Sequence, residues 1–147
     1  MLVLSENKKA YFNYEIIEKF EAGIELKGFE VKAAKDGRAQ LLGAFATVKD
    51  GQMELTNLNI TPFQPKNTPP DYDPTRPRRL LMNKKEIIYL IGKMKGDRLT
   101  LVPLKLYTKG PRVKVELGLA RGKRTYEKRE AIKKRESKRE IARTLKS

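Results

Sequence analysis

The first part of the chain has a strand pattern followed directly by a helix pattern. Aromatic and β-branched residues dominate positions 11–27 (YFNYEIIEKFEAGIELK) and predict a strand, with Gly23 as the site of a bend or bulge. Positions 28–35 (GFEVKAAK) contain no proline and predict a short helix that stops at Asp36 and Gly37.

A hairpin and a long loop come next. Apolar residues over 45–48 and 53–60 flank Asp50 and Gly51, a pair that readily adopts positive φ in a tight turn, so these runs predict a β-hairpin. Residues 61–77 hold six of the eight prolines. Since proline lacks the N–H that helices and central strands use, this segment is predicted to cross the surface as a loop.

The second half of the body has one amphipathic helix and a second hairpin. Apolar residues recur at helical spacing between positions 80 and 94, which predicts a helix that begins after Asn83 as its N-cap and ends near Gly96. Residues 98–107 and 112–119 alternate in polarity around a Gly-Pro turn and predict two antiparallel strands.

These elements together define the expected fold. Pro103 lies within a predicted strand, so that strand is expected to be at an edge or to contain a bulge. No internal repeat is present. Several antiparallel strands with helices between them predict a mainly β protein, an oligonucleotide-binding-like antiparallel β-barrel with flanking α-helices.

Charge is concentrated at the C-terminal end. The chain has 33 Lys+Arg and 18 Asp+Glu, a formal net charge of +15. Residues 121–147 hold 12 of these cations and 4 of the anions, so they carry +8, and residues 1–120 carry the other +7. This division predicts a body domain over 1–120 and a basic tail over 121–147, with a polyanion, most often nucleic acid, as the partner.

The tail has helix-forming residues but few apolar ones. Tyr126, Ile132, Ile141 and Leu145 are too sparse to dock on a core, and an isolated helix of this length is marginal in water. We therefore expect the tail to be frayed when free and helical when an anionic groove neutralises it. The alternative is a permanently solvated basic helix or a solubilising tail.

Composition excludes several function classes. The chain has no Cys and no His, which removes thiol nucleophiles, cysteine metal sites and the commonest general base. Glu15, Glu18 and Glu21 invite a hydrolase interpretation, but strand glutamates usually face water or pair with lysines, so no enzyme, metal or cofactor is expected. No apolar run has the length of a secretory signal or a membrane span, which predicts a cytoplasmic protein with no membrane partner.

Two groups of side chains could contact a nucleic acid. Arg76, Arg78 and Arg79 lie on short backbone beside Pro77, and guanidinium groups held in this way suit phosphates because they bind with two parallel hydrogen bonds. The alternative is a solvated basic loop. Phe20, Phe29 and Phe45 could stack on bases, but a core position is favoured for each.

Several sequence blocks together resemble one protein family. The chain is similar to the SmpB family (small protein B, the SsrA-binding proteins), which bind transfer-messenger RNA in bacterial trans-translation. Single blocks are weak signals, but their order along nearly the whole chain is specific. The blocks are Asn7-Lys8-Lys9-Ala10, FEAGIELKGFEVK (20–32), DPTRPRRLL (73–81), LVPLKLY (101–107), RVKVELGLARGK (112–123) and YEKRE (126–130).

The resemblance implies a function and its residues. It implies an adaptor, expected here as a monomer, whose barrel binds the transfer-RNA-like domain of transfer-messenger RNA and whose tail enters the decoding centre and the empty messenger channel of a stalled ribosome. The implied RNA-binding residues of the body are Asn7, Lys8, Lys9, Glu21, Glu30, Lys32, Arg76, Arg78, Arg79, Leu81 and Asn83. The implied decoding-centre residues are Gly122, Lys123, Arg124, Tyr126, Glu127, Lys128 and Arg129.

Two other functions fit the same sequence, and the chain departs from the family pattern at three positions. A structural ribosomal protein with a basic tail has the same composition, and an RNA-processing enzyme with carboxylate-bound magnesium is a third hypothesis. Relative to the family pattern, Phe29 takes the place of a residue that is often small. Tyr72 and Asn83 stand where many relatives have histidine.

Overall fold

Nine strands and three helices make up the part of the chain that the structure describes. The structure is a computed structural model, and it describes residues 1–62, 66 and 68–122. The strands are β1 (Val3–Glu6), β2 (Tyr14–Ile24), β3 (Ala39–Gln40), β4 (Phe45–Lys49), β5 (Gln52–Thr56), β6 (Asn59–Ile60), β7 (Arg78–Leu81), β8 (Thr100–Lys109) and β9 (Arg112–Gly122). The helices are α1 (Lys8–Asn13), α2 (Gly28–Lys35) and α3 (Lys84–Gly96).

Seven strands form one antiparallel sheet, in the order β1-β8-β9-β2-β7-β5-β4, and β3 pairs with β6. The sheet curls until β4 lies against β8, although the described residues form no hydrogen-bonded ladder between these two strands. The predicted mainly β, antiparallel fold with flanking helices is thus confirmed, and the barrel is open along the β4–β8 edge.

The core lies inside this curled sheet. Alternate residues of neighbouring strands point inward and are fully buried, among them Leu55 of β5, Leu80 of β7 and Leu117 of β9. Helix α3 adds Leu90 to the same cluster. Because side chains on a strand alternate between its two faces, the residues next to these in sequence face outward and form the surface of the sheet.

Several local predictions are confirmed. Asp50 and Gly51 both have positive φ, 52° and 75°, and close the β4–β5 hairpin between Lys49 and Gln52. Positive φ at both central residues is the type I′ geometry that matches the twist of the flanking strands. The pairing of β8 with β9 shifts register beside Pro103, so the expected irregularity in that strand is present as a bulge.

The start of the chain differs from the prediction. Residues 11–13 were expected in a strand but belong to α1, and β1 precedes them. Hydrogen bonds to a strand distant in sequence determine the structure of this segment, because the backbone N–H of Asn7 donates to the carbonyl of Leu104 (2.9 Å). The bulge of β2 lies between Ile16 and Glu18 rather than at Gly23.

Gly23 has a different role from the one expected. It pairs with Lys114 of β9 on one side and with Leu81 of β7 on the other. A Cβ atom at this position would lie 3.2 Å from the Cβ of Leu81, so glycine makes room for the leucine side chain.

Within the described residues, no helix is long and apolar enough to cross a membrane.

Most of the predicted basic tail lies outside the residues that the structure describes. Strand β9 continues to Gly122, which pairs with Tyr14 at the start of β2. The predicted decoding-centre residues Lys123, Arg124, Tyr126, Glu127, Lys128 and Arg129 lie beyond the described residues, as does the predicted helix of the tail. The division into a body and a tail stays a prediction.

Candidate nucleic-acid interface

One face of the large sheet is polar, cationic and open to solvent. We call it the outer sheet face, and it is formed by outward-pointing residues of β8, β9, β2 and β7. Register places Glu21 opposite Glu116 and Gly23 opposite Leu81, so the predicted RNA-binding residues Glu21 and Leu81 lie close together on adjacent strands. Its exposed members are Lys19, Glu21, Arg79, Leu81 and Lys109; Lys114 and Glu116 are half-buried, and the buried side chain of Tyr107 lies against Glu21.

Glu21 is held in place by two donors from β8. The Tyr107 hydroxyl donates a hydrogen bond to the Glu21 carboxylate, and Lys109 Nζ lies 3.2 Å from Oε1. These hydrogen bonds, the Tyr107 bond first and then that of Lys109, lower the pKa of Glu21 below its ordinary value. Burial and the neighbouring Glu21 carboxylate raise the pKa of Tyr107 well above its ordinary value. The carboxylate is therefore ionised and oriented at neutral pH, as an acceptor for a ligand must be.

Leu81 is the last residue of β7, and Asn83 lies directly before the first residue of α3. Leu81 is 47% exposed and is the aliphatic side chain among the exposed members of this face. The Asn83 side chain accepts a hydrogen bond from the Glu86 N–H (2.8 Å) and so is the predicted N-cap of α3. Asn83 is exposed, and its capping bond fixes the direction in which its amide points.

The arginine cluster is divided between surface and interior. Arg79 is exposed on β7, and its Nη2 contacts Gln52 Oε1 (3.2 Å). Arg78 is fully buried on the opposite side of the same strand. The three arginines were expected to present guanidinium groups to phosphates together, but strand alternation at β7 turns Arg78 into the core, away from any surface ligand.

The buried Arg78 side chain is paired with Glu30. Its Nε and Nη2 donate to Glu30 Oε2 at 2.9 and 2.6 Å, and the Glu30 side chain is itself 0% exposed. The remaining donors of Arg78 satisfy backbone carbonyls of Leu58, Arg76 and Pro74. We call Glu30, Arg78, Arg76 and Tyr72 the buried ion-pair network.

Arg76 and Tyr72 connect this network to the loop after β6. Arg76, half-buried, donates to both oxygens of Glu30, from Nε at 3.1 Å and from Nη2. The Tyr72 hydroxyl lies 3.0 Å from Glu30 Oε2 and 2.9 Å from the carbonyl oxygen of Ile60. One carboxylate on α2 thus fixes the proline-rich segment and the start of β7, which positions Arg79 and Leu81.

Two of the three departures from the family pattern meet in the structure. Phe29 and Tyr72 pack edge to face, with ring centroids 4.8 Å apart and an interplanar angle of 89°. Such aromatic pairs stabilise by about 0.5–1.5 kcal/mol beyond the area they bury. Phe29 therefore supports the tyrosine that binds Glu30. It is half-buried but is not among the residues of the described core clusters or those packed against them, so the expected core position is not where it lies.

The ion-pair network predicts a pH dependence of stability. Burial raises the pKa of Glu30, but hydrogen bonds from Arg76, the Lys27 N–H and Arg78 outweigh it, and the net pKa lies below the ordinary 4.5. Because the folded-state pKa is the lower one, ionised Glu30 stabilises the fold above pH 4.5, and this stabilisation is lost as the pH falls through the folded-state value. We expect urea unfolding at several pH values to show a steeper acid loss for the wild type than for Glu30→Gln; equal slopes would contradict this account.

The other predicted residues lie elsewhere. Asn7 is buried, and its Nδ2 donates to the carbonyl of Pro103 (3.0 Å), so it fixes the entry to α1 beside β8. Lys8 and Lys9 follow it and are exposed. Lys32 is exposed on α2. The structure thus places Glu21, Arg79 and Leu81 on one face of the sheet, Glu30, Arg76 and Arg78 in a second group, and Asn7, Lys8 and Lys9 in a third.

Sequence reasoning missed part of the outer sheet face. Tyr107, Lys109 and Lys114 surround Glu21, and none of them was predicted as a site residue. The signal was present as alternation: Lys105, Tyr107 and Lys109 share one face of β8 beyond its bulge. Of the described residues, no three acidic side chains form a group that could hold a metal ion.

An antiparallel, curled sheet that presents fixed acceptors, an exposed leucine and several cations defines a small nucleic-acid-binding β protein. Comparison with known proteins is more specific. The family model of the SmpB protein matches residues 4–147, so the chain belongs to the SmpB family.

Individual relatives agree with this assignment. The SsrA-binding protein of Carboxydothermus hydrogenoformans is 50% identical over 145 residues, which cover 99% of this chain and 97% of the relative. That of Gloeobacter violaceus is 50% identical over 143 residues, 97% of this chain and 93% of the relative. A solved structure described as "tmRNA-SmpB: a journey to the center of the bacterial ribosome" is 46% identical, with a TM-score of 0.67, over 86% of this chain and 92% of that chain.

Proposed function

We propose that this protein binds the transfer-RNA-like domain of transfer-messenger RNA and delivers it to the A site of stalled ribosomes for trans-translation. The observation that carries the proposal is the match, over nearly its whole length, to relatives named SsrA-binding proteins. The solved relative that is described with transfer-messenger RNA and the bacterial ribosome supports the same partners. The protein acts as an adaptor in the cytoplasm and catalyses no reaction of its own.

The outer sheet face is the surface that we assign to the transfer-RNA-like domain. Glu21 accepts hydrogen bonds from base edges or a 2′-hydroxyl, because its carboxylate is ionised and would repel phosphates. Leu81 makes apolar contact with an exposed base. Arg79, Lys109 and Lys114 are near enough on the same face to neutralise phosphates around them.

The remaining predicted residues have supporting or separate roles in this proposal. Glu30, Arg76 and Arg78 act through the positions of Arg79 and Leu81, since their own charges are satisfied within the protein. Asn7 positions Lys8 and Lys9, and Lys32 and Asn83 extend the RNA surface. Residues Gly122 to Arg129 contact the decoding centre, and Tyr126 stacks there on a ribosomal RNA base, a contact typically worth about 1–3 kcal/mol.

Binding of the isolated transfer-RNA-like domain tests the proposal. The logarithm of the affinity should fall linearly with the logarithm of the salt concentration, because binding releases counterions from the phosphates. Leu81→Ala should weaken binding by about tenfold, the size of a lost apolar base contact, and leave the midpoint of thermal unfolding nearly unchanged.

The matched control is Val48→Ala, another exposed aliphatic residue on a strand, on the edge strand β4 two strands away from β7. It should leave the affinity unchanged. Failure of the wild type to bind this RNA at physiological salt would overturn the proposed function. Equal losses in the two variants would refute the assignment of Leu81 to the interface.

A further inference from the structure

Helix α3 exposes one whole side that nothing in the described chain covers. Ile87 and Leu90 point into the core, and the opposite side is open to solvent over the length of the helix. At 1.5 Å per residue this open side extends for about 16 Å, enough to follow two or three successive phosphates of a nucleic acid strand. We call it the α3 outer face, and its members are Lys84, Lys85, Ile88, Tyr89, Gly92 and Lys95.

The charged members of the α3 outer face are all lysines, and the carboxylates of Glu18 and Asp97 lie beside it near Tyr89. Its three lysines lie at both ends of the face, and Glu86, the acidic residue within α3, is turned away from it at the edge of the buried side. The Tyr89 hydroxyl donates to Glu18 (2.8 Å), which fixes the ring, and Lys93 Nζ lies 5.9 Å from the ring centroid. This arrangement is complementary to a polyanion.

Gly92 lies at the centre of this face, and neither steric space nor backbone conformation requires a glycine there. Its backbone is not in the left-handed region, and a Cβ atom added to it would meet nothing within 4 Å. Glycine in the interior of a helix is less favourable than any residue except proline. A position that tolerates a side chain but lacks one leaves bare backbone, which permits close approach by another molecule.

Apolar side chains border the bare backbone. Ile88 is 60% exposed and Tyr89 is 41% exposed. An aromatic ring and an aliphatic chain between lysines fit the riboses and bases of RNA, which offer apolar faces next to charged phosphates. Charge, exposed apolar groups and the central glycine therefore point to the same kind of ligand.

We propose that the α3 outer face is a second contact surface for transfer-messenger RNA, with one phosphodiester segment against Gly92 and lysines on both sides of it. The inference rests on the proposed function. Transfer-messenger RNA is the occupant because α3 begins directly after Leu81 and Asn83, so an RNA that contacts those residues meets Lys84 and Lys85 next. Tyr89 packs beside Phe20, on the side of β2 opposite to Glu21, so the RNA bends around this corner of the protein.

Substitution of Gly92 separates binding from folding. Gly92→Ala should raise the midpoint of thermal unfolding by about 2–5 °C, because alanine is the better helix former. The same variant should bind the transfer-RNA-like domain at least about fivefold more weakly, and the longer side chain of Gly92→Gln should weaken binding further, since each displaces the closely packed phosphodiester. The control Gly28→Ala, at an exposed helical glycine of α2 that also has open space around it, should leave the affinity unchanged.

Charge variants test whether phosphates of the ligand contact the lysines of the α3 outer face. The double variant Lys85→Gln, Lys95→Gln should reduce the salt slope of binding by about two, one for each lost phosphate contact. The matched double variant Lys35→Gln, Lys49→Gln, at exposed lysines of α2 and β4, should keep the wild-type slope. Equal slopes for both pairs would overturn the inference.

Directed cleavage identifies which RNA is contacted. The chain contains no cysteine, so Ile88→Cys can carry a single tethered iron–EDTA group that cleaves nearby RNA backbone. Cuts in transfer-messenger RNA within the ribosome-bound complex support the proposal, with Lys49→Cys as the control. Cuts confined to ribosomal RNA, or no cuts, would refute it. Wild-type binding with unaltered affinity of the Gly92 variants would refute this inference alone, whereas absence of wild-type binding would refute the proposed function.

Discussion

Replacing Arg78 with methionine is expected to lower the free energy of unfolding by about 3–5 kcal/mol, because the buried Glu30 carboxylate loses one of its two guanidinium partners. Arg78 is 0% exposed, so water cannot take its place at the carboxylate. The backbone carbonyl of Leu58 loses its Arg78 donor as well, and that of Pro74 keeps the Ile60 N–H. Urea unfolding followed by circular dichroism measures the change, since the chain has no tryptophan.

Two further variants test whether the loss of stability comes from the buried ion pair. Arg79→Met, at the exposed neighbour on the same strand, should change the free energy of unfolding by less than about 0.5 kcal/mol. The double variant Glu30→Gln, Arg78→Met removes both charges and should recover part of the loss, with a coupling energy of about 2 kcal/mol. A zero coupling energy, or equal losses at 78 and 79, would contradict the ion-pair account.

Removal of residues 123–147 is expected to abolish tagging on stalled ribosomes and to leave affinity for the transfer-RNA-like domain largely intact. The truncation point follows from the structure, because Gly122 is the last residue of β9 and pairs with Tyr14. The body should therefore fold without the tail. A reconstituted tagging reaction and a filter-binding assay on the same preparation measure the two properties.

The opposite outcome of the truncation would overturn the division of labour. If the shortened chain lost RNA binding and kept tagging, the tail would be the RNA-binding element. Sucrose-gradient fractionation addresses the alternative of a structural ribosomal protein, which should be present in equal number on all ribosomes. An adaptor should instead be enriched on stalled ribosomes.

Elements with strong local signals could be predicted from the sequence. The turn at Asp50 and Gly51 and the start of α3 at Asn83 depend on residues close together in the chain, and both were predicted correctly. Helix α1 has six residues and one buried side chain, so it has little amphipathic pattern to detect. It depends on hydrogen bonds from Asn7 to β8, about a hundred positions away, which no local pattern contains.

The candidate site shows the same limit. Resemblance to the family suggested both Glu21 and Leu81, but their proximity follows from the pairing of β2 with β7, which the sequence pattern did not reveal. The arginine cluster was predicted on short backbone between the proline-rich loop and α3, with no strand there, although Arg78 and Arg79 begin β7 and point to opposite sides of it. Knowing that strand would have separated the buried guanidinium from the exposed one.

The edge-to-face packing of Phe29 and Tyr72 has a consequence for chimeric proteins. A loop grafted from a relative with histidine at position 72 would bring a smaller ring against Phe29 and lose the hydroxyl that reaches both Ile60 and Glu30. Such a graft would leave a gap on α2 unless position 29 were exchanged in the same step. Positions 29 and 72 should therefore be exchanged together when segments are swapped between homologues.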